Sequence, residues 1–350
     1  MPIDDTNPPR PFTTTVVGSW PKPRWLSNKD HDVSGWVTDR TWRFEGAKLK
    51  EMQDEATRRA VREQEGTGVG ILTDGEIRRD NYIYHLCRHL DGFDFDQRIS
   101  TSARSGAWRW DQPAITGPIG SGGAALRTDY EFARDITDRS VKVTIPGPLT
   151  IMDSVHDTYY KDEEALAMAL AGAINQEVRA LADAGCSIVQ FDEPSFARYP
   201  EKLERFALRA LEACFAGVEG ITTAVHVCRG YPIQDYAKSN ADSYEQVLPA
   251  LAASTVDQVS IEASSDSFDR KLLRLLGDKD VILGVVDVGS TRVEGVPHIR
   301  RRLSEASEWV DPGKIFPAPD CGLVFLTPAV AKRKVANIAA AADELNKAMG

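Results

Sequence analysis

The sequence predicts an α/β protein in which eight parallel strands alternate with helices and form a (β/α)₈ TIM barrel. From residue 140 onward, short runs rich in β-branched residues alternate with longer segments of helical periodicity, the pattern of a parallel sheet with crossover helices. Two further short apolar runs near the N-terminus bring the expected strand count to eight. A chain of 350 residues accommodates one such barrel, which commonly needs about 250 residues, together with an insertion.

The first two strands are expected on either side of a charged helix, and each of the other six precedes a segment of helical periodicity. The predicted strands cover residues 13–17, 70–73, 141–145, 187–192, 222–227, 258–262, 281–287 and 315–318. The predicted helices cover residues 44–65, 163–184, 201–217, 243–253, 268–276, 297–308 and 328–347.

Residues 80–139 interrupt this alternation and are expected to form an inserted hairpin after the second strand, within a single domain that spans residues 1–350. Turn-forming pairs such as Gly117-Pro118 and Gly122-Gly123 favour a hairpin there. The aromatic pair Trp108 and Trp110 is compatible with a lid over the barrel mouth, with a contact between subunits, or with a solvated decoration.

The charge balance favours a small-molecule enzyme. With 42 basic and 52 acidic residues the formal net charge is −10, which argues against broad affinity for nucleic acid or anionic membranes. No apolar leader follows Met1 and no run approaches the roughly 18 apolar residues of a membrane span, so a cytoplasmic protein is expected. The five cysteines do not form a disulfide framework. Cys87, Cys186 and Cys214 are expected in the core.

Four metal-competent side chains fall at the ends of separate predicted strands. His226 and Cys228 end the fifth strand, Glu262 ends the sixth, and Cys321 follows the eighth. Carboxyl ends of barrel strands meet at one rim, so these residues are expected to converge. Two thiolates, an imidazole and a carboxylate are ligands of tetrahedral zinc, and such a charge-rich donor set suits activation of a thiol better than hydrolysis.

The same rim carries groups suited to a zwitterionic ligand. Backbone N–H groups of Val17, Gly18 and Ser19, with the Ser19 hydroxyl, could hold a carboxylate, and acids at opposite strand ends could hold an ammonium group. These acids are Asp74, Glu76, Asp192 and Glu193. An amino-acid thiol is therefore the expected substrate. The alternative is that the acids are structural and pair with Arg78, Arg79 or Arg198.

These segments together resemble the C-terminal catalytic barrel of cobalamin-independent methionine synthase, from Thr14 to about Ala341, and especially its short single-barrel form. The matching pieces are residues 15–19, 74–76, 147–150, 190–194, 226–228, 261–262 and 319–323. The resemblance implies zinc held by His226, Cys228, Glu262 and Cys321, with homocysteine as methyl acceptor and methionine as product. It also implies that Ser19, Glu76 and Asp192 hold the homocysteine backbone, and we expect Glu76 and Asp192 to serve catalysis.

The methyl donor is less closely defined by the resemblance. Enzymes of that family that use folate carry a Trp where this chain has Ser154 and a His where it has Gly289. Without those groups, stacking on a pterin and protonation of the folate leaving group are both lost, and loss of a general acid typically costs about 10²- to 10⁴-fold in rate. A methylcorrinoid, methylcobalamin or a corrinoid protein, is therefore expected as donor beside 5-methyltetrahydrofolate. A homo-oligomer is also compatible with the sequence.

Two other functions stay open. One is alkyl transfer to a different thiol, as in epoxyalkane:coenzyme M transferase, whose sulfonate would need a cation such as Arg78, Arg229 or Arg292. The other is a non-catalytic zinc barrel that serves as a partner subunit or a corrinoid-binding module.

Overall fold

The computed structural model describes residues 10–28, 41–103, 108–121, 123–229 and 243–350. They form an α/β fold with one parallel sheet and a separate hairpin. The strands are β1 (Leu90–Ala103), β2 (Trp108–Ser121), β3 (Val143–Pro146), β4 (His156–Asp157), β5 (Ile188–Asp192), β6 (Thr222–Val227), β7 (Gln258–Ile261), β8 (Asp280–Val286) and β9 (Ile315–Pro319). The α-helices are α1 (Gly46–Glu65), α2 (Tyr84–Cys87), α3 (Ala125–Arg134), α4 (Pro148–Asp153), α5 (Glu163–Asp183), α6 (Pro194–Arg198), α7 (Leu208–Ala213), α8 (Tyr244–Ala253), α9 (Val296–Ala306) and α10 (Pro328–Met349).

The parallel sheet has the order β3-β5-β6-β7-β8-β9, so each strand pairs with the next one along the chain apart from the short β4. Helices of the crossovers make these parallel connections possible. The register pairs Asp192 with His226 and Val227 with Ile261, which brings the carboxyl ends of neighbouring strands side by side. Functional side chains that are far apart in sequence therefore meet at one edge.

The prediction of regular strands at residues 13–17 and 70–73 is wrong for the described structure. These segments make only isolated parallel bridges, Thr15 with Ile71 and Leu72 with Val141. The Thr14 carbonyl accepts both Gly70 N–H and Ile71 N–H, at 3.1 and 2.9 Å, so the hydrogen bonds converge on one oxygen instead of forming an even ladder. The regular parallel sheet of the described residues has six strands rather than eight.

The long helices and the shorter helices α8 and α9 lie close to their predicted ranges, whereas the predicted helices at residues 201–217 and 268–276 do not form as expected. Helix α5 begins where Asp162 accepts hydrogen bonds from two backbone N–H groups, as an N-cap residue does. Residues 201–217 are not one α-helix: they contain a π-helical turn at Leu203–Ala207 and end their helix at Ala213. Within residues 268–276, only Arg270–Leu276 are helical, and they form a 3₁₀-helix that ends at Gly277 with a φ of 58°.

The predicted hairpin is confirmed: β1 and β2 pair antiparallel from Leu90–Ser121 outward, and β4 adds a parallel pair to β2. Helices α2, α3, α4 and α6 were not predicted; the last two are short helices with a proline at their start. The three cysteines expected in the core are buried. Among the described helices none has the length and apolar character of a membrane span.

Candidate metal and substrate site

A cavity lies at the carboxyl ends of β5, β6 and β9 and gathers most of the predicted site. All five residues predicted to bind substrate line it: Val17, Gly18, Ser19, Glu76 and Asp192. Three of the four predicted metal ligands line it too: His226, Cys228 and Cys321. Eight residues from distant parts of the chain therefore share one cavity.

His226, Cys228 and Cys321 form the metal-competent cluster of the described residues. A ring nitrogen of His226 and the two sulfur atoms all lie within 4.8 Å of one another, and the three side chains are buried. His226 Nδ1 is 2.9 Å from the Ser260 hydroxyl oxygen, whereas buried Nε2 has no hydrogen-bond partner among the described residues. A ring nitrogen fixed by one hydrogen bond, with the other nitrogen unsatisfied, is typical of a metal-binding histidine.

Cys321 is held by its neighbour Asp320. The Asp320 carboxylate accepts the N–H groups of Ala263 and Ser264, at 3.1 and 3.0 Å, and the Ser264 hydroxyl. These bonds tie the segment after β9 to the segment after β7. A Cβ atom at Gly284 would lie 2.3 Å from the Asp320 carboxylate, so the close approach requires glycine there.

Glu262, the fourth predicted ligand, lies outside the cluster. Its side chain is only 1% exposed, and Arg229 Nε lies 3.2 Å from its carboxylate oxygen. The Arg229 guanidinium packs over the Tyr244 ring, 5.4 Å from its centroid, and the Tyr244 hydroxyl accepts Glu262 N–H at 3.0 Å. The structure thus brings together three of the four predicted metal ligands and pairs the fourth with an arginine.

Asp192 and Glu76 are the acids of the cavity. Burial raises the pKa of Asp192 to about 7, although nearby His226 opposes that shift. Glu76 has a φ of 54°, an uncommon conformation for a residue with a side chain, and its carboxylate accepts the Thr144 hydroxyl at 2.8 Å. The backbone at Glu76 is therefore held in place by its surroundings, as at many binding sites.

Two glycines, Gly18 and Gly322, leave the space that Glu76 and Ser19 occupy at the same cavity. A Cβ atom at Gly18 would lie 2.4 Å from the Glu76 carboxylate, and one at Gly322 would lie 2.2 Å from the Ser19 hydroxyl oxygen. That hydroxyl is buried without a hydrogen-bond partner among the described residues. Because buried polar groups are normally paired, the hydroxyl is available to a ligand.

The chain matches a family model for the catalytic domain of cobalamin-independent synthases over residues 12–344. The methionine synthase of Sulfolobus acidocaldarius is 29% identical over 93% of this chain and 89% of its own length. That of Saccharolobus islandicus is 30% identical over 93% and 92%.

The solved structure of a B12-independent methionine synthase from Shewanella sp. W3-18-1, in complex with selenomethionine, is 30% identical. It superposes with a TM-score of 0.90 and covers 97% of this chain and 98% of its own. The chain belongs to the cobalamin-independent methionine synthase family. The resemblance read from the motifs is confirmed at the level of the family, and the predicted site residues can be considered in that setting.

The sequence also allowed the acids at the rim to be structural, paired with Arg78, Arg79 or Arg198. This alternative holds for only some of these acids. Arg78 pairs with Asp54 and Asp129, and Arg198 pairs with Asp153, so neither arginine neutralises a cavity acid. Arg79 is the exception, with 3.9 Å between its Nη1 and the Glu76 carboxylate.

Two further acids predicted at the rim have structural partners. The Asp74 carboxylate accepts Glu76 N–H at 3.0 Å and so shapes the turn before the cavity. The Glu193 carboxylate accepts the N–H groups of Leu149 and Thr150, at 2.9 and 3.0 Å, and thereby caps helix α4. In this family member, Asp74 and Glu193 support the rim and do not line the cavity.

Sequence reasoning missed Tyr82, which lines the cavity beside the cluster, and the bridging role of Gln190. Burial raises the pKa of Tyr82 well above its ordinary value, so its hydroxyl stays protonated at neutral pH. The position of Gln190 two residues before Asp192, on the same face of β5, was the available signal for its role.

Proposed function

We propose that this protein transfers a methyl group to the thiol of homocysteine and releases methionine. One observation carries the proposal: the cluster of His226, Cys228 and Cys321 lines the same cavity as the groups suited to an amino acid. Those groups are Val17, Gly18, Ser19, Glu76 and Asp192. Membership of the methionine synthase family supports the same acceptor and the assignment as an S-methyltransferase.

The donor set of the cluster fits zinc. Two thiols and one imidazole are preferred zinc ligands, and three protein ligands with an open position are typical of catalytic zinc. The unsatisfied His226 Nε2 is the kind of atom that a metal would complete. Zinc held there by His226, Cys228 and Cys321 would keep a bound substrate thiol in its reactive thiolate form near neutral pH. Glu262 would complete the ligand set only after it leaves Arg229.

The remaining cavity groups would hold the amino-acid portion of homocysteine. Asp192 and Glu76 would accept the ammonium group, and the backbone at Val17 and Gly18 with the Ser19 hydroxyl would hold the carboxylate. Fixed at both ends, the substrate would present its sulfur to the cluster, which is the positioning that makes an in-line methyl transfer fast. Asp192 and Glu76 serve catalysis through this orientation.

For the donor, the family description as cobalamin-independent favours 5-methyltetrahydrofolate over methylcobalamin. Two local features still support a test of both. Ser154 ends helix α4 with its hydroxyl bonded to the Thr150 carbonyl at 2.8 Å and offers no aromatic face. The Gly289 position has only a backbone N–H, which donates to Asp287 at 2.7 Å.

The fold proposal is a closed (β/α)₈ barrel in a single domain. The Thr15–Ile71 and Leu72–Val141 bridges would extend the sheet beyond β3, and Thr15 N–H donates to the carbonyl of Pro317 in β9 at 3.0 Å. The hairpin within residues 80–139 would cover the mouth, supported by the Gln112 amide, which donates to the Asp153 carbonyl at 2.9 Å. The side chains of Trp108 and Trp110 lie outside the described part of the structure.

The test is methionine formation by zinc-loaded protein supplied with homocysteine and, separately, 5-methyltetrahydrofolate, its polyglutamate and methylcobalamin. Methionine in any arm supports the acceptor, and the productive arm identifies the donor class. If verified zinc protein forms no methionine in any of these arms, nor with an added methyl-corrinoid protein, the proposed function is wrong, and alkyl transfer to another thiol or a non-catalytic zinc barrel replaces it. Sedimentation of the same sample tests the predicted homo-oligomer.

Coenzyme M is the less favoured acceptor. It has no ammonium group for Asp192 and Glu76 to accept. Of the cations predicted to hold its sulfonate, Arg78 and Arg229 are engaged by acids. An epoxide and coenzyme M assay on the same preparation separates the two chemistries.

A further inference from the structure

A chain of three buried side chains leads from the interior of the sheet to the cavity. Lys142, just before β3, is 1% exposed, Gln190 on β5 is fully buried and Asp192 is 8% exposed. Lys142 Nζ donates to Gln190 Oε1 at 2.6 Å, and Gln190 Nε2 donates to Asp192 Oδ1 at 2.7 Å. The Asp192 carboxylate is therefore held on its inner side by the Gln190 amide, and the amide is held in turn by Lys142.

Gln190 also reaches the other side of the cavity. Its Nε2 donates to the Val17 carbonyl at 3.0 Å, so one amide nitrogen binds both Val17 and Asp192. The amide nitrogen has two acceptors and the amide oxygen has the Lys142 amine as donor. Only one orientation of the amide therefore satisfies all of these hydrogen bonds. Buried amides with all partners satisfied are rigid, since rotation would leave polar atoms unpaired.

We propose that Gln190 is a positioning residue for amino-acid recognition: it holds Asp192 and the Val17–Ser19 turn in a fixed relation, with Lys142 fixing its amide. The inference rests on the proposed function, in which Asp192 accepts the ammonium group and the turn holds the carboxylate. Gln190 is not a member of the metal-competent cluster and does not itself line the cavity, so it acts through the lining residues Val17 and Asp192. Its loss should weaken recognition of the amino group and leave metal binding intact.

The isosteric variant Gln190→Glu isolates this role. The new carboxylate keeps the size of the side chain and its contact with Lys142, but it places an acceptor against the Val17 carbonyl and a second acid against Asp192. Gln258→Glu is the matched control, because Gln258 is also buried and beside an acid, Asp280, but it starts β7 at the opposite end of the sheet.

Calorimetric binding of L-homocysteine and of its desamino analogue, 4-mercaptobutanoate, to zinc-loaded protein gives the readout. The unaltered protein and Gln258→Glu should prefer homocysteine. Gln190→Glu should lose about tenfold or more of that preference, since a hydrogen bond to a charged group is removed, with one zinc per chain retained. A change of stability alone would weaken both ligands equally and leave the ratio unchanged.

Two other variants keep the test open if Gln190→Glu fails to fold. Gln190→Met removes the donor without adding charge and should lose the preference too. Lys142→Met leaves Gln190 in place and should lose less of it. A full preference in folded Gln190 variants would overturn the inference while Asp192 kept its role. Absence of any preference in the unaltered protein would instead overturn the amine role of Asp192 and this inference with it.

Discussion

Two neighbouring cavities at the carboxyl ends of the strands satisfy their polar groups in different ways. In the cavity of the metal cluster, the Ser19 hydroxyl and His226 Nε2 are buried without hydrogen-bond partners among the described residues. Three of the five acids that line the adjacent, larger cavity on the β7–β8 side have cations within 4.0 Å. Its pairs are Glu262 with Arg229, Asp266 with Arg302, and Glu294 with Lys334.

The difference separates a site in which a hydroxyl and a ring nitrogen suit a ligand from a region in which three acids are paired with cations of the protein. Only one side-chain nitrogen of that second region, Arg302 Nε, is buried without a hydrogen-bond partner among the described residues. An unpaired buried donor or acceptor costs about 1–3 kcal/mol, so it is kept where a ligand will repay it. Paired charges need no ligand. On this reasoning we propose that the first cavity binds metal and substrate, whereas the second holds Glu262 and supports the rim.

The largest expected effect follows from removing a ligand of the first cavity. Cys321→Ser should lose stoichiometric zinc and at least about 1,000-fold in methionine formation, because it removes a preferred thiolate donor from the cluster. Metal analysis and a methionine assay check both. Cys186→Ala, a buried cysteine away from the cluster, should keep its zinc. Full activity in a metal-free Cys321→Ser protein would contradict the assignment.

The second cavity should respond in stability instead. Arg229→Leu leaves the buried Glu262 carboxylate without its cation and should lower the free energy of unfolding of the metal-free protein by about 2 kcal/mol. Urea denaturation measures the change. Arg292→Leu, which removes an exposed arginine of the same cavity, should change it by less than about 0.5 kcal/mol. Equal losses of unfolding free energy in the two variants would mean that the Arg229–Glu262 pair contributes no specific stabilisation.

A smaller effect is expected from crowding the first cavity. Gly322→Ala would put a methyl group 2.2 Å from the Ser19 hydroxyl oxygen, so Ser19 must move and homocysteine affinity should fall about tenfold, which is about 1.4 kcal/mol. Zinc content should not change. Gly172→Ala, inside helix α5 with open space around it, should leave binding unchanged and stabilise the protein by about 0.5–1 kcal/mol. Calorimetry and urea denaturation measure the two quantities.

The smallest effect concerns pH. Burial lowers the pKa of Lys142 to about 7, whereas the unfolded chain has a lysine of ordinary pKa near 10.4. Between these values the unfolded chain binds more protons, so stability should rise with pH by about 1 kcal/mol from pH 7 to pH 8. Lys142→Met should lack this contribution. Urea denaturation of both proteins at the two pH values gives the difference, and parallel pH dependences would contradict the shift.

Much of the fold was predictable from periodicity. Six strands and the long helices α1, α5 and α10 lie close to where their apolar patterns placed them. The isolated bridges at residues 13–17 and 70–73 were not predictable. Whether a short apolar run forms a regular ladder or a single bridge depends on its distance from the partner segment in the sheet. The π-helical turn at Leu203–Ala207 likewise has no sequence signal of its own.

The candidate site likewise has features that the sequence predicted and features that it did not. Residue type and strand-end position were enough to bring His226, Cys228 and Cys321 together with Asp192 and Ser19. Side-chain pairing was not predictable: nothing in the sequence places Glu262 against Arg229 or Gln190 between Asp192 and Val17. Such choices depend on distances of an ångström or less between elements that are far apart in sequence.

The most direct test of the central claim is zinc X-ray absorption of the loaded protein with and without L-homocysteine. We predict two sulfur neighbours and at least one nitrogen neighbour without substrate, from Cys228, Cys321 and His226, and a third sulfur neighbour once homocysteine is added. An unchanged sulfur count at saturating homocysteine would contradict the claim that this cavity delivers the substrate thiol to the metal.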